Sequence, residues 1–301
     1  MSIHRVLVFG GNGQVGQALR YATLPADWLL KAVTRAECDF MQPGAIGKAV
    51  RDFAPDLVIN AAAMTDIDAC EKDPAQATEV NFHAVANIAG QCDTVNAPLI
   101  QISTDYVFDG KNGERPYMPD DEMNPVNVYG QTKMMGEEAA RHGLHWHVIM
   151  RTSLVFSAFG QNVLTRTLRQ IDTQVEIQAV TDQKANPTSA EAVAEALMVI
   201  GGAILRGKGD GFGTFHICGE PAVTRYEFLQ AIMQAYAPFT ERRPKLTPIS
   251  SADIPNRVPR PPCSILNNDK ARDVYGIQPH LWRDDLANSV RRYVDLARGA
   301  A

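Results

Sequence analysis

Val6-Leu7-Val8-Phe9-Gly10-Gly11-Asn12-Gly13-Gln14-Val15-Gly16 is the stretch from which the fold is read. Four apolar residues in a row fit a strand buried on both faces of a parallel sheet, because a half-solvated strand would alternate. The glycines then form a tight turn that opens into a helix. A glycine pattern gains meaning in that context, since small residues let a pyrophosphate approach the positive end of a helix. Gly11, Gly13 and Gly16 fit one spacing of the dinucleotide fingerprint, and Gly10, Gly13 and Gly16 fit another. A strand-to-helix turn without a ligand is the alternative.

The same alternation continues downstream. Apolar runs at Leu29 to Val33, Leu57 to Ile59, Pro98 to Ile102 and Trp146 to Met150 predict strands. Between them, helices are expected at Gln14 to Leu24, Pro43 to Phe53, Pro74 to Asn96 and Val126 to His142. The order implies an α/β fold, a Rossmann-like doubly wound parallel sheet with a smaller C-terminal substrate-binding part. Residues 1–151 are assigned to the NAD(P)-binding domain, with later segments returning to it, and residues 152–301 mainly to the substrate part. In the second half, helices are expected at Val163 to Ile171, Thr188 to Ile204, Arg225 to Tyr236 and Asp284 to Arg298, with a strand at Thr214 to Ile217. The Pro-dense segment from Pro244 to Pro262 reads as a linker or a ligand-covering loop, excluded from regular helix or central strand.

Within that frame, ligands sit beyond the carboxyl ends of the strands. The second strand ends in Val33-Thr34-Arg35, where an NAD-selective site would carry an acid. Arg35 suits a 2′-phosphate, which favours NADPH and leaves NADH open; an ordinary surface charge is the other reading. Asp39 and Phe40 are placed to edge the adenine. Ala61-Ala62-Ala63 leaves room for a cofactor or simply lets a helix pack. Tyr129 and Lys133, four residues apart, share one helix face. A cation there favours phenolate and would lower the tyrosine pKa, making Tyr129 a usable proton donor. Thr104 ends the fourth strand, where its hydroxyl can meet a substrate oxygen. Taken alone, a Tyr-x-x-x-Lys spacing is more often a solvated helix face; its order behind the glycine turn and strand-end hydroxyl favours chemistry.

Taken together, these segments resemble the extended short-chain dehydrogenase/reductase superfamily, and more narrowly the dTDP-4-dehydrorhamnose reductase family. The carriers are Gly10 to Gly16, Cys38-Asp39-Phe40, Asn60 to Ala63, Ser103-Thr104-Asp105-Tyr106-Val107-Phe108, and Asn127 to Lys133. Arg151-Thr152-Ser153, Asp182-Gln183, Pro187-Thr188, Gly213 to His216 and Arg260-Pro261 extend the likeness over nearly the whole chain. The resemblance implies NADPH-dependent reduction of the C4 keto group of a dTDP-4-dehydro-6-deoxy sugar, giving dTDP-L-rhamnose. It implies cofactor contacts from Gly10, Gly13, Gln14, Val15, Gly16, Arg35, Asp39, Phe40, Ala61, Ala62, Ala63, Tyr129 and Lys133. Thr104, Tyr129 and Lys133 would be catalytic, and Thr104, Asp105, Tyr106, Leu154 and Arg260 would meet the substrate, although Tyr106 also reads as packing beneath the site. Arg260 would pair with the diphosphate.

Two positions depart from that family's pattern. Leu154 stands where it usually has a tryptophan near the sugar, and Arg225 falls in its Thr-Trp-like segment. The aromatic platform is therefore missing, and the sugar's identity is less determined than the reaction. Gln17-Ala18 occupies the region after the glycine turn from which some members hold magnesium, so no metal is expected. His142, His145 and His147 read as surface or packing residues, and His216 as structural. An epimerase on the same fold, or a non-catalytic NADP-binding regulatory subunit, are the alternatives.

A net charge of −5 argues against nucleic acid as a partner. The five cysteines show no metal-ligand spacing and read as reduced thiols. The N-terminal residues lack a signal-peptide pattern, and no apolar run reaches membrane-spanning length, so the cytoplasm is the expected location. The oligomeric state stays open, a homodimer included.

Overall fold

The computed structural model describes residues 3–113, 115–209, 211–255 and 257–299. The first half runs β1 (His4–Phe9), α1 (Gln14–Tyr21), β2 (Trp28–Val33), α2 (Ala45–Phe53), β3 (Leu57–Asn60), α3 (Ile67–Lys72), α4 (Pro74–Thr78), α5 (Ala84–Thr94), β4 (Leu99–Thr104), α6 (Val128–Gly143) and β5 (His147–Thr152). The second half adds β6 (Val155–Phe156), α7 (Val163–Thr173), β7 (Glu176–Val180), β8 (Lys184–Ala185), β9 (Thr188–Ser189), α8 (Ala190–Leu205), β10 (Gly213–His216), β11 (Val223–Thr224), α9 (Arg225–Tyr236), β12 (Lys245–Ile249), α10 (Asp269–Tyr275) and α11 (Trp282–Gly299).

Six strands form one parallel sheet in the order β10-β5-β4-β3-β1-β2. The apolar runs lack alternation because both sheet faces are covered. Val6 and Val8 pack with α1 and α8, whereas Leu7 and Phe9 pack with α2 and α5. The strand order reverses at β1, between β2 and β3. The glycine turn after β1 therefore opens at the switch point, where the loops on either side diverge and leave a crevice.

A second layer, built from α7, β7, α9 and α11, has its own core around Phe156, Leu168, Phe228, Ile232, Trp282 and Val290. The chain does not enter it once and stay. After β9, α8 returns to pack on α1, and β10 joins the sheet beside β5 before α9 leads back out.

Several expected boundaries shift for local reasons. α1 stops at Tyr21, short of Leu24, ahead of Pro25. The single helix expected from Pro74 to Asn96 is broken at Glu79–His83 by a π turn. There Gly136 of α6 lies so close that a Cβ would stand 2.2 Å from the Asn81 carbonyl oxygen. The π turn instead aims the Asn81 side chain across to the loop after β3. The Pro-dense segment is also more ordered than a loop: β12 pairs in parallel with β7 in a two-stranded sheet, an edge where Pro248 needs no donor.

Candidate active site

The site begins with the turn after β1. Gly10 has φ +90°, and a Cβ there would lie 2.7 Å from the Ala62 amide nitrogen. At Gly16 it would lie 2.3 Å from the Gly10 carbonyl oxygen, so only glycine lets α1 start against the strand end. No side chain caps the amino end of α1, and its first N–H groups remain available to a ligand.

Two cavities meet over this turn. One, about 290 Å³, is walled by Gly10, Gly13, Arg35, Asp39, Phe40 and Ala61 to Ala63. The other, about 460 Å³, is walled by Gln14, Val15, Thr104, Tyr129, Lys133 and Leu154 among others. Asn12, Gly13 and Ala61 to Ala63 belong to both, so they form one continuous cleft. Its arrangement suits a dinucleotide, with two chambers sharing the wall at the start of α1. Gly16 is outside the walls, and its part is the close packing that shapes the turn. Arg35 is largely exposed at the rim and lies 3.7 Å from Asp39. The acid nearest the strand end, Glu37, is turned back to accept from the Thr34 amide and hydroxyl.

The deeper chamber gathers the residues expected to do chemistry. Asn127 caps α6 by accepting from the Gly130 amide at 2.8 Å and donates to the Pro259 carbonyl. Glu71 accepts from the Val128 amide. Gly130 lets the helix settle against the Tyr106 backbone, where a Cβ would be 2.1 Å from its carbonyl oxygen. These ties fix Tyr129 beside Thr104. The Tyr106 and Tyr129 rings meet edge to face at 5.6 Å.

The electrostatics differ from the sequence expectation. Burial pushes the Tyr129 phenol well above its ordinary pKa; a hydrogen bond with Thr104 opposes this, and the Asp105 carboxyl adds to it. The Lys133 ammonium is not among the leading causes of that shift; it is turned to the Ile102 carbonyl, at 2.7 Å. Burial brings Lys133 itself down to about 8, against the opposing pull of Glu137. Tyr129 is thus held as a neutral phenol, the form that donates a proton.

Asp105 stands next to Thr104, buried, with its carboxyl accepting from the hydroxyls of Ser153, Ser264 and Thr104. Burial raises its pKa despite those bonds. With its oxygens already engaged, it braces Thr104 while forming part of the chamber wall. Leu154 lines the chamber with a left-handed backbone, φ +43°, a conformation costing a non-glycine residue about 1–2 kcal/mol. Arg260 pairs with Asp68 at 3.4 Å and keeps a buried Nε without a hydrogen-bond partner. It lies near Tyr106, whose phenol feels its charge.

Sequence reading missed one contributor outright, and for two residues it had named it missed their placement. Asn81, buried in the π turn, exchanges hydrogen bonds with the Met64 backbone and donates to Thr132 of α6. Gln14 accepts from Ser157, joining the start of α1 to the second half of the chain. Arg225 lines the chamber itself; its departure from the family pattern was a visible signal, but its position was not. By contrast, His216 is buried beside Arg151 and is pushed down to about 3 by burial and then by that charge, in keeping with a structural role. Among the described residues, no cluster of His, Cys, Asp or Glu is arranged to hold a metal ion, and no helix is long and apolar enough to cross a membrane.

Comparison with known proteins agrees with this geometry. The family model described as the RmlD substrate binding domain matches residues 4–294. A dTDP-4-dehydrorhamnose reductase of Sinorhizobium fredii is 35% identical over 291 residues, covering 96% of each chain. The structure of dTDP-4-dehydrorhamnose reductase from Bacillus anthracis in complex with NADP superposes with a TM-score of 0.86 at 26% identity, covering 96% of this chain and 99% of that one. A Clostridium acetobutylicum relative gives the same TM-score at 28% identity, with 98% and 99% covered. With the glycine turn, the Thr104–Tyr129–Lys133 chamber and full-length similarity all in agreement, the chain belongs to the dTDP-4-dehydrorhamnose reductase family.

Proposed function

We propose that the protein reduces the C4 keto group of a dTDP-4-dehydro-6-deoxy sugar with NADPH, converting dTDP-4-dehydrorhamnose to dTDP-L-rhamnose. The observation that carries this reading is the placement of a neutral phenol, a strand-end hydroxyl and a buried ammonium in one chamber continuous with the dinucleotide cleft. The uncapped start of α1 and the glycine cradle fit a pyrophosphate, and Arg35 at the rim fits a 2′-phosphate. NADPH bound there supplies the hydride.

The remaining work falls to side chains. Tyr129 gives its phenolic proton to the carbonyl oxygen as that oxygen gains charge. Thr104, held by Asp105 and the Tyr106 amide, orients the same oxygen. Lys133, fixed to the Ile102 carbonyl, presents its remaining N–H groups to the ribose beside Tyr129. Tyr106 and Leu154 border the sugar, and Arg260, with an unsatisfied Nε, receives the diphosphate. The six-stranded sheet, with α8 and β10, forms the cofactor-binding part, and the layer around α7, α9 and α11 forms the substrate-binding part. The sugar nucleotide is the partner, and the cytoplasm is the compartment where such a reductase would meet NADPH.

The test is a coupled assay with purified protein, NADPH and dTDP-4-dehydrorhamnose, the product being identified by NMR. Cofactor oxidation is expected only with the keto-sugar, and Tyr129→Phe is expected to lower kcat by about a hundredfold or more, the usual scale for a positioned acid. Tight NADPH binding without turnover would instead support a regulatory subunit.

A further inference from the structure

Beside the reducing chamber lies a smaller cavity of about 40 Å³ whose walls include Asp105, Tyr106, Leu154, Gln183 and Arg225. Asp105, Tyr106, Leu154 and Arg225 also wall the chamber that holds Tyr129 and Lys133, so the small cavity is a side pocket of the reaction site. A water-sized position takes roughly 10–15 Å³ on this measure, so the pocket has room for about three heavy atoms, the size of one small substituent.

Its chemistry is set by Arg225. The Nη1 of that guanidinium is sealed from solvent and has no hydrogen-bond partner. Protein groups offer it little compensation at neutral pH: the Tyr106 phenol, which would favour the charged arginine once ionised, is itself pushed up by burial and stays neutral, the Asp105 carboxyl is already taken up by three hydroxyls, and the other charges acting on Arg225 are those of Arg166, Arg260 and Arg257. Arg257 and Arg260 each keep a buried nitrogen unpartnered as well. Burial and these neighbouring cations bring Arg225 down to about 10, so it remains charged at neutral pH. A half-buried cation among cations, with one sealed donor unfilled, is suited to an anion supplied by the ligand. Leu154, with no polar side-chain atom, leaves the opening between chamber and pocket free of a competing partner.

We propose that Arg225 and this side pocket form a subsite for a carboxylate-bearing substituent on the sugar, so that the chamber takes a carboxylated sugar nucleotide at least as well as a 6-deoxy one. The proposal rests on the reading of the cleft as a sugar-nucleotide reductase site and refines which sugars it admits. A carboxylate has three heavy atoms and accepts two parallel N–H bonds from a guanidinium, which matches both the volume and the unfilled donor.

Binding of dTDP, dTDP-glucose and dTDP-glucuronate to the full-length protein with NADP⁺ present would be measured by calorimetry. The glucuronate is expected to bind about tenfold or more tighter than the glucose, the scale of a charge-assisted hydrogen bond. Arg225→Met should erase that preference while leaving dTDP affinity unchanged, and Arg225→Lys should keep part of it. Equal affinities for the two sugars in the unaltered protein would overturn the subsite. So would a loss in Arg225→Met that is equally large for dTDP, since Arg225 would then serve the diphosphate. Turnover of dTDP-4-dehydrorhamnose, measured in parallel, separates the two ideas: turnover without a carboxylate preference removes the subsite alone, whereas absence of both turnover and dTDP binding removes the reductase reading with it.

Discussion

At the scale of single residues, the site turns on how burial divides protons between Tyr129 and Lys133. Both groups are pushed toward their neutral forms, but on opposite sides of the working range: the phenol well above it, the ammonium down to about 8. In the proposed roles, a protonated Lys133 is needed, so kcat/KM should fall as pH rises through about 8, with Tyr129 still protonated there. The Glu137 carboxylate supports the charged lysine; Glu137→Gln should therefore move that falling limb to lower pH in a pH–rate profile. Unfolding through this group cannot mimic the effect. Its folded pKa lies below the ordinary value of 10.5, so the unfolded chain binds more protons between the two, and stability rises with pH across that window. Arg35 offers a second test. Arg35→Ala should raise KM for NADPH by about tenfold and leave KM for NADH nearly unchanged, as expected for losing an exposed charge pairing with one phosphate. The residue identities at both ends of the cleft were legible in the sequence because each sits in a short motif, Arg35 and Thr104 at strand ends and Tyr129 and Lys133 on one helix face. The direction of the Tyr129 shift was not, since four-residue spacing says that two side chains share a helix face and nothing of where the ammonium points.

At the scale of the element, α6 is fastened to the sheet by charge as well as by packing. Arg151 of β5 donates to Glu137 through Nε at 2.8 Å and through Nη2 at 2.7 Å, and both side chains are buried. Burial alone would raise the glutamate pKa, but the bonds and charge of Arg151, together with Ser103 and Arg141, hold it below the usual range. Glu137 lies one helical turn beyond Lys133 and two beyond Tyr129, so the clasp sets how that whole face meets β4. Arg151→Met leaves the buried Glu137 carboxylate to Arg141 and Ser103 and should destabilise the protein by about 1.5–3 kcal/mol, visible as a lower midpoint in urea unfolding. Arg151 and its neighbours Thr152 and Ser153 were visible in the sequence as a family-like segment, yet the sequence does not show that Arg151 meets Glu137 on α6 or that Ser153 donates to Asp105, just after β4. The π turn before α5 was equally hidden. An apolar periodicity from Pro74 to Asn96 reads as one helix, and only the close approach of Gly136 shows why Asn81 must bulge.

At the scale of the whole molecule, the parallel sheet could be anticipated from the unbroken apolar strands, and its edge strand was expected at Thr214 to Ile217, but the pairing of that strand beside β5 was not legible. β10 is four residues long, and its pairing with β5 depends on a connection that runs out through α7 and β7 of the second layer and back along α8. α8, rich in alanine, is buried along much of its length and covers β1 and α1 from the far side. Residues 1–152 expressed alone would expose the surface that α8 covers, including Val6, Val8 and Leu19. Such a fragment is expected to be insoluble or to bind a hydrophobic dye such as ANS, whereas an autonomous domain would give a cooperative melt of its own.

The return of α8 and β10 also constrains how this protein can be recombined. Since the cofactor layer and the second layer are threaded through one another by several crossings, a chimera that exchanges only the C-terminal half would import a foreign sheet edge and a foreign helix beneath the glycine turn. A productive exchange of sugar preference would transplant residues 153–189, 218–267 and 282–299 as three inserts, leaving the intervening α8, β10 and α10 in place. The evolutionary counterpart is that substrate range in such a scaffold can drift by changes within those inserts, at positions such as Leu154 and Arg225, while the sheet that carries the cofactor stays intact.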